Sequence, residues 1–237
     1  MRKTKIVCTL GPATDNEDVL RKLMLAGMNV ARLNFSHGTH EEQKKRMDMV
    51  KKLRAELGLP IAILLDTKGP EIRTRDFEGG KAELKAGDFF TLTTRDLVGD
   101  SITSITHMDL YKDVQIGTHI LIDDGLIELQ VTSISGEDIL CTVITGGPVS
   151  NHKGINVPDV HLNMPYLSEV DQSDILFGIE QDVDFIAASF VRSAKDVLEI
   201  RELLNANCGN NINIISKIEN SEGVNHIDDI IYVSDGI

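Results

Sequence analysis

The feature that most constrains the fold of this chain is an alternation of short apolar runs with amphipathic segments over residues 6–66. Strands are predicted at residues 6–10, 29–35 and 60–66, and the last is apolar on both faces, as buried parallel strands are. Between them, Thr14 and Thr39 each stand three positions before a glutamate, a pattern that predicts helix starts. Strand–helix repetition predicts a parallel sheet with right-handed crossovers.

Residues 71–165 break this alternation. They show no convincing helical period, and glycine separates β-rich runs at residues 89–94, 119–122, 126–134 and 139–144. Asp123-Asp124-Gly125 lies between two of these runs and is a hairpin signal. These residues are predicted to form a small all-β domain inserted into the α/β domain.

The α/β alternation returns at Ser168. Further elements are predicted there, with helices at 168–181, 193–205 and 222–229 and strands at 184–190 and 212–218. A closed (β/α)8 barrel needs eight strands, whereas this chain provides about five and ends as a sixth starts. An open doubly wound sheet is the alternative, but the first strand-to-helix turn lacks G-x-G-x-x-G spacing.

We therefore predict an α/β fold, a partial (β/α)8 TIM barrel of about five strands with an inserted all-β lid domain. The predicted domains are 1–70 for the first part of the barrel, 71–165 for the β insertion, and 166–237 for the continued and truncated barrel.

Composition excludes several classes of function. A formal net charge of -13 argues against general affinity for nucleic acid or anionic membranes, since both need a basic surface. The three cysteines are far apart and form no CxxC pair, so neither a disulfide framework nor a zinc site is expected. The N-terminus has no apolar leader and no run is long enough to span a membrane, so a cytoplasmic location is expected.

Polar side chains gather where the predicted strands end, which is where parallel α/β barrels place their working residues. Arg32, Asn34 and Ser36 fall on one face of the second strand, because side chains alternate along a strand. Asp66 and Thr67 end the third strand. The oxygen atoms of four of these residues could surround a hard cation, namely Asn34, Ser36, Asp66 and Thr67. A hydrogen-bonded core cluster or a turn would explain these residues too.

The fifth strand ends in Lys217 and Glu219, two residues apart and therefore on one face. A surface ion pair is the ordinary explanation, but a buried parallel strand has no solvated face. The alternative is a carboxylate that holds Mg²⁺ beside an ammonium that neutralises a phosphoryl oxygen. Ser189 and Arg192, at the end of the fourth strand, are left without a function, and His37 is given no catalytic role.

Four segments resemble the motifs of pyruvate kinases in order and spacing. They are residues 5–14 (Lys-Ile-Val-Cys-Thr-Leu-Gly-Pro-Ala-Thr), 31–38, 65–73 and 215–220. The resemblance spans the chain, and the β insertion looks like that family's lid domain. It implies phosphoryl transfer from phosphoenolpyruvate to ADP, giving pyruvate and ATP, with Mg²⁺ and K⁺ as cofactors and a homotetrameric complete enzyme.

The resemblance also implies a role for individual residues. The implied catalytic residues are Lys217, Arg32 and Arg73, of which Arg32 and Lys217 also bind substrate. The implied nucleotide contacts are Asn34, Phe35, Ser36, His37, Arg73 and Lys153. The implied K⁺ ligands are Asn34, Ser36, Asp66 and Thr67, and the implied Mg²⁺ ligand is Glu219. A glutamate at position 71 accompanies K⁺ dependence in this family, whereas K⁺-independent members have lysine there.

One departure from the family pattern bears on activity. The family's second Mg²⁺ ligand, an aspartate after the sixth strand, would lie beyond Ile237, and Asp235 precedes that position. The isolated chain is therefore expected to be inactive. Two other functions are weighed: a metal-dependent lyase or aldolase, disfavoured by the large β insertion, and a non-catalytic product whose coding sequence stops at Ile237.

Overall fold

The computed structural model describes residues 3–237, which divide into two compact units. Unit 1 contains the described residues up to Pro70, then Pro165–Glu219 and Gly223–Ile237. Unit 2 contains Glu71–Met164 and Asn220–Glu222.

The strands are numbered here in chain order. They are β1 (Val7–Thr9), β2 (Val30–Asn34), β3 (Ala62–Asp66), β4 (Ile72–Arg73), β5 (Lys81–Leu84), β6 (Phe89–Thr93), β7 (Ile102–Ser104), β8 (His119–Ile122), β9 (Ile127–Ser135), β10 (Asp138–Thr145), β11 (Gly147–Ser150), β12 (Gly154–Asn156), β13 (Phe185–Ala188) and β14 (Asn213–Ser216). The helices are α1 (Glu17–Ala26), α2 (His40–Leu57), α3 (Leu110–Asp113), α4 (Glu169–Glu180), α5 (Ala194–Ala206), α6 (Ser221–Asn225) and α7 (Ile227–Val233).

Unit 1 is a partial (β/α)8 barrel, as predicted. Its five strands are all parallel and lie in the order β1-β2-β3-β13-β14, and a helix follows each strand except where unit 2 follows β3. Ile215 also forms a parallel bridge with Gly236, so a further extended segment begins to pair beside β14. Because all the strands run the same way, the carboxyl ends of β2, β3, β13 and β14 lie along one edge of the sheet.

Unit 2 is all-β apart from α3 and a short 3-10 helix at Glu78–Gly80. A seven-stranded sheet runs β4-β12-β8-β9-β10-β6-β7, and β11 pairs with β5. The hairpin predicted at Asp123-Asp124-Gly125 joins the antiparallel strands β8 and β9, with both aspartates at positive φ. Cys141 lies in the unit's core, and burial raises the pKa of its thiol to about 12, so it is a packed and unreactive side chain.

The first helix starts at Glu17, after a separate 3-10 turn. The prediction that Thr14 starts this helix is wrong. The Thr14 hydroxyl instead closes a 3-10 turn with Gly11, and Asn16 caps α1 by accepting from the Asp18 and Val19 N–H groups. Among residues 3–237, no helix has both the length and the apolar character that a membrane crossing requires.

Helices α2 and α4 of unit 1 meet through an unusual buried carboxyl group. Asp174 is buried, and its Oδ1 lies 2.5 Å from Nε2 of His40, whose ring stacks on Phe177 at 4.3 Å. Asp174 Oδ2 is buried without a hydrogen-bond partner among the described residues. Burial, opposed in part by His40 and reinforced by the Asp171 charge, raises the pKa of Asp174 above its ordinary value.

The raised pKa of Asp174 gives a pH-dependent prediction. Because the pKa of Asp174 is raised in the folded state, folding favours the protonated carboxyl. Ionisation of Asp174 therefore lowers the free energy of unfolding above this pKa, and the lost stability returns as the pH falls through the pKa. Asp174→Asn should therefore raise the Tm at about pH 7.5 and have little effect near pH 4. Thermal unfolding across this range tests it, with Asp48→Asn, an exposed ion-pair residue of α2, as the control. A lower Tm for Asp174→Asn at neutral pH would contradict the assignment.

Candidate active site

The centre of the candidate site is the carboxylate of Asp66, at the end of β3. Its side chain is only 2% exposed, so its charge is removed from water and needs partners in the protein. Arg32, from β2, donates from Nε to Asp66 Oδ2 at 2.7 Å, and its Nη2 also contacts that oxygen. Lys217, after β14, donates to Asp66 Oδ1 at 3.2 Å. Two cations predicted from separate strands therefore share one buried carboxylate.

The Lys217 ammonium is held by three acceptors. Besides Asp66 Oδ1, they are Ser189 Oγ at 2.8 Å and Glu219 Oε1 at 3.2 Å. An ammonium has three N–H donors, so these contacts match its donor capacity. The side chain of Lys217 is still 30% exposed, which leaves its head group accessible at the strand end.

Ser189, which the sequence placed at the end of the fourth strand without a function, is a site residue whose role sequence reasoning missed. It follows β13, is 2% exposed, and donates from Oγ to the Thr67 carbonyl oxygen at 2.6 Å. Its Oγ also lies 3.1 Å from Asp66 Oδ1 and accepts from Lys217. A serine after a strand has no distinguishing local pattern, so only the sheet order, which places β13 between β3 and β14, could have indicated this position.

The predicted K⁺ ligands come together in part. Asn34 and Asp66 are direct register partners on β2 and β3, so their side chains leave the sheet edge side by side. Asn34 Oδ1 accepts from the Ser36 N–H at 2.9 Å, and Thr67 lies 3% exposed beyond Asp66. Amide, hydroxyl, carbonyl and carboxylate oxygens are the donors that hard cations select. The donor types of these residues therefore suit a hard cation, while the charge of Asp66 is already shared by Arg32 and Lys217.

The loop after β2 is held by a residue that the sequence did not single out. Gln43 is 3% exposed and donates from Nε2 to the carbonyl oxygens of Asn34 at 3.0 Å and His37 at 2.9 Å. Phe35 packs its ring in the core of unit 1 and donates its N–H to the Asp66 carbonyl oxygen, so neither its ring nor its N–H is available to a ligand. The Gln43 side chain of α2 thus fixes the conformation of residues 34–37.

Glu219 is the acidic residue predicted to hold Mg²⁺. Its Oε1 contacts Lys217, and its Oε2 accepts from the Phe190 N–H at 3.0 Å. The side chain is 33% exposed, and carboxylate oxygen is a donor that Mg²⁺ accepts. Residues 3–237 contain no group of three or more His, Cys, Asp or Glu side chains placed to hold a metal ion. Glu219 is thus of the chemical type that Mg²⁺ binds, and in this structure its two oxygens are engaged by Lys217 and the Phe190 N–H.

Arg73 and Lys153 belong to unit 2, where β4 and β12 bring them together. Gly154 pairs with Arg73, and the Thr74 N–H donates to the Lys153 carbonyl oxygen at 2.9 Å. The hydrogen bond from Arg73 Nε to Glu71 Oε1, at 2.6 Å, raises the pKa of the guanidinium. Lys153 Nζ donates to Asp123 Oδ1 at 2.8 Å. Each cation is thus held by a carboxylate of its own unit.

Helix α4 holds the turn after β3 through the side chain of Asp171. Asp171 is fully buried, and its Oδ1 accepts from the Gly69 N–H at 3.1 Å. Its Oδ2 accepts from the Ser168 hydroxyl at 2.6 Å. Gly69 has φ +70, and a Cβ there would lie 2.6 Å from the Ser189 carbonyl oxygen. Only glycine allows the two strand-end turns to approach this closely.

Comparison with known proteins agrees with this geometry. The family profile described as "Pyruvate kinase, barrel domain" matches residues 1–237. This chain belongs to the pyruvate kinase family. It is 51% identical over 239 residues to the pyruvate kinase of Clostridium perfringens, and it covers 50% of that protein. It is also 53% identical to the pyruvate kinase of Geobacillus stearothermophilus and 52% identical to that of Staphylococcus haemolyticus, covering 41% of each.

All of this chain is covered in each of these comparisons, whereas the chain spans at most about half the length of those curated relatives.

The close approach of Gly69 to Ser189 gives a prediction on stability. Gly69→Ala adds a Cβ at positive φ and forces it against a backbone carbonyl. Gly58→Ala is the matched control, because Gly58 has φ +61 but no atom within 4 Å of the added Cβ. Urea unfolding should show Gly69→Ala to be more destabilising than the control by about 1–3 kcal/mol, the usual range for overpacking. Equal effects would contradict the close packing of these turns.

Proposed function

We propose that this sequence provides the substrate-binding half of an enzyme that transfers a phosphoryl group from phosphoenolpyruvate to ADP, yielding pyruvate and ATP. The observation that carries the proposal is the Arg32–Asp66–Lys217 arrangement at the carboxyl edge of the parallel sheet. A protein with a net charge of -13 has concentrated two partly exposed cations at one point, where an anionic substrate would need them.

Phosphoryl transfer depends mainly on positioning and on neutralising the charge of the group in flight. Arg32 presents a planar guanidinium that suits phosphate oxygens, and its Nη1 is steadied by Thr9 Oγ1 at 2.6 Å. Lys217 presents a compact ammonium whose charge stabilises the transferring phosphoryl group. Asp66 holds both head groups before substrate arrives, so little reorganisation is needed when the reaction occurs.

We propose Mg²⁺ and K⁺ as the cofactors. Glu219 would hold Mg²⁺, and Asn34, Ser36, Asp66 and Thr67 would hold K⁺. When bound, the two ions supply positive charge that neutralises the phosphoryl oxygens. Glu71 supports the K⁺ proposal. Its side chain is only 7% exposed and lies beside Arg73, and a carboxylate there supplies no positive charge that could take the place of K⁺.

The remaining functional assignments rest on the family alone and stay predictions. They place the nucleotide at residues 34–37 and at Arg73 and Lys153, assign unit 2 the role of a lid, and give the whole enzyme a cytoplasmic location and a homotetrameric state. The isolated 237 residues are proposed to be inactive, because their five-stranded sheet has β1 and β14 as edges and Glu219 is a single metal ligand.

Lys217→Met tests the proposed function. The assay follows ATP formation from phosphoenolpyruvate and ADP, with Mg²⁺ and K⁺ each omitted in turn. It uses the full-length product of the reading frame that encodes this sequence, with the 237-residue chain alongside. Removing a charge that acts in the transition state should lower kcat by about a hundredfold to a thousandfold, while phosphoenolpyruvate binding is largely spared.

The control for this experiment is Lys195→Met, which removes an exposed lysine from α5 and should leave kcat unchanged. Unchanged turnover in Lys217→Met would contradict the role given to Lys217. No transfer by the full-length wild-type product would contradict the proposed function itself, and robust transfer by the 237-residue chain would contradict its proposed inactivity.

A further inference from the structure

The two residues that follow β13, Ser189 and Phe190, have contacts that the reaction as outlined does not use. We propose that this Ser189–Phe190 turn is a positioning element that sets the Lys217 ammonium and the Glu219 carboxylate in place. The inference deepens the proposed function and rests on it. Neither residue is assigned to bind substrate, so the role is positioning and not catalysis.

Two adjacent residues of the turn serve two residues of the neighbouring strand end. Ser189 Oγ accepts from Lys217 Nζ at 2.8 Å, and the Phe190 N–H donates to Glu219 Oε2 at 3.0 Å. One turn therefore holds both groups, whose charged atoms lie 3.2 Å apart. Their positions therefore depend on the Ser189–Phe190 turn and not only on their mutual attraction.

The direction of the Ser189 hydroxyl follows from its contacts. A hydroxyl has one proton and two acceptor lone pairs. The shortest contact with an acceptor is the Thr67 carbonyl oxygen at 2.6 Å, so the proton points there. The lone pairs are then directed toward Lys217, which can only donate. The serine thus links the Thr67 carbonyl to the ammonium through one oriented hydroxyl.

The backbone of the turn is strained and firmly held. Phe190 has φ +55, a conformation that a bulky residue adopts only when its surroundings enforce it. The Ser189 carbonyl oxygen accepts from the Tyr166 hydroxyl at 3.0 Å, and it also packs against Gly69. Burial raises the pKa of Tyr166 well above its ordinary value, so this hydroxyl keeps its proton and donates.

The conformation of Phe190 accompanies a change in the hydrogen bonds beside β14. The Phe190 N–H donates to the Glu219 carboxylate, and the N–H of the next residue, Val191, donates to the Lys217 carbonyl oxygen at 3.2 Å. Backbone strain of this kind is found at functional positions, where the surrounding structure maintains it. Three further neighbours, Thr67, Gly69 and Tyr166, contact the same turn.

The test compares Ser189→Ala and Ser189→Cys with Ser216→Ala in the full-length product. Cysteine keeps the volume of the side chain but hydrogen-bonds weakly, so it separates the hydroxyl from packing. Ser216 is the matched control: it is a fully buried serine of the adjacent strand that directly precedes Lys217 in the chain, and its Oγ is hydrogen-bonded to Ser234 and not to the Lys217 ammonium. The readouts are kcat, KM for phosphoenolpyruvate, Tm, and the rate at which trinitrobenzenesulfonate modifies Lys217.

Both Ser189 variants should lower kcat by about tenfold to a hundredfold, as a misplaced catalytic group does, with little change in KM. They should also raise the modification rate of Lys217, which loses one of its three acceptors. Ser216→Ala should lower the Tm by a similar amount but leave kcat and the modification rate as in the wild type.

Wild-type kcat in the Ser189 variants, or losses that follow the Tm in all three variants, would overturn the inference while leaving the proposed function intact. If the wild-type product transfers no phosphoryl group, the proposed function fails instead. The modification rate of Lys217 then decides the positioning role alone, because an unchanged rate in Ser189→Ala would overturn it and a raised rate would support it.

Discussion

The buried negative charge of Asp66 is the constraint on which the candidate site depends. A carboxylate removed from water is strongly destabilising unless cations and hydrogen-bond donors surround it. Here the cations come from separate strands, Arg32 from β2 and Lys217 after β14, and Ser189 after β13 accepts from the Lys217 ammonium. Because the strands are parallel and adjacent, a single charge at the end of β3 organises four strand ends.

The same principle extends outward from Asp66. Polar groups that would be unsatisfied at the sheet edge are bound by a second set of side chains and backbone groups. Gln43 binds the carbonyl groups of the loop after β2, and Asp171 binds the Gly69 N–H. In unit 2, Arg73 and Lys153 are likewise held by Glu71 and Asp123. An acidic chain thus holds these cations in place with carboxylates, so their head groups are already ordered.

Much of this could be predicted from the sequence because it depends on local periodicity. Alternation along β2 places Arg32 and Asn34 on one face, and the two-residue spacing of Lys217 and Glu219 places them together, as the structure shows. The Thr39–Glu42 capping box and Gly58 bound α2 where the local pattern indicated. The partial barrel was predicted from the same rhythm and is confirmed.

The rest depends on contacts that no local pattern encodes. Ser189 acquires its partners only because β13 lies between β3 and β14 and because Phe190 adopts φ +55, which no sequence rule assigns to phenylalanine. The cap of α1 was misassigned because Thr14 and Asn16 both suit that position, and the Thr14 hydroxyl is taken by Gly11. The central claim is that the buried Asp66 carboxylate and the partly exposed Arg32 guanidinium are energetically coupled. A double-mutant cycle of unfolding free energies for Asp66→Asn and Arg32→Met tests it most directly, with a coupling energy of about 1–3 kcal/mol expected and additivity within about 0.5 kcal/mol contradicting it.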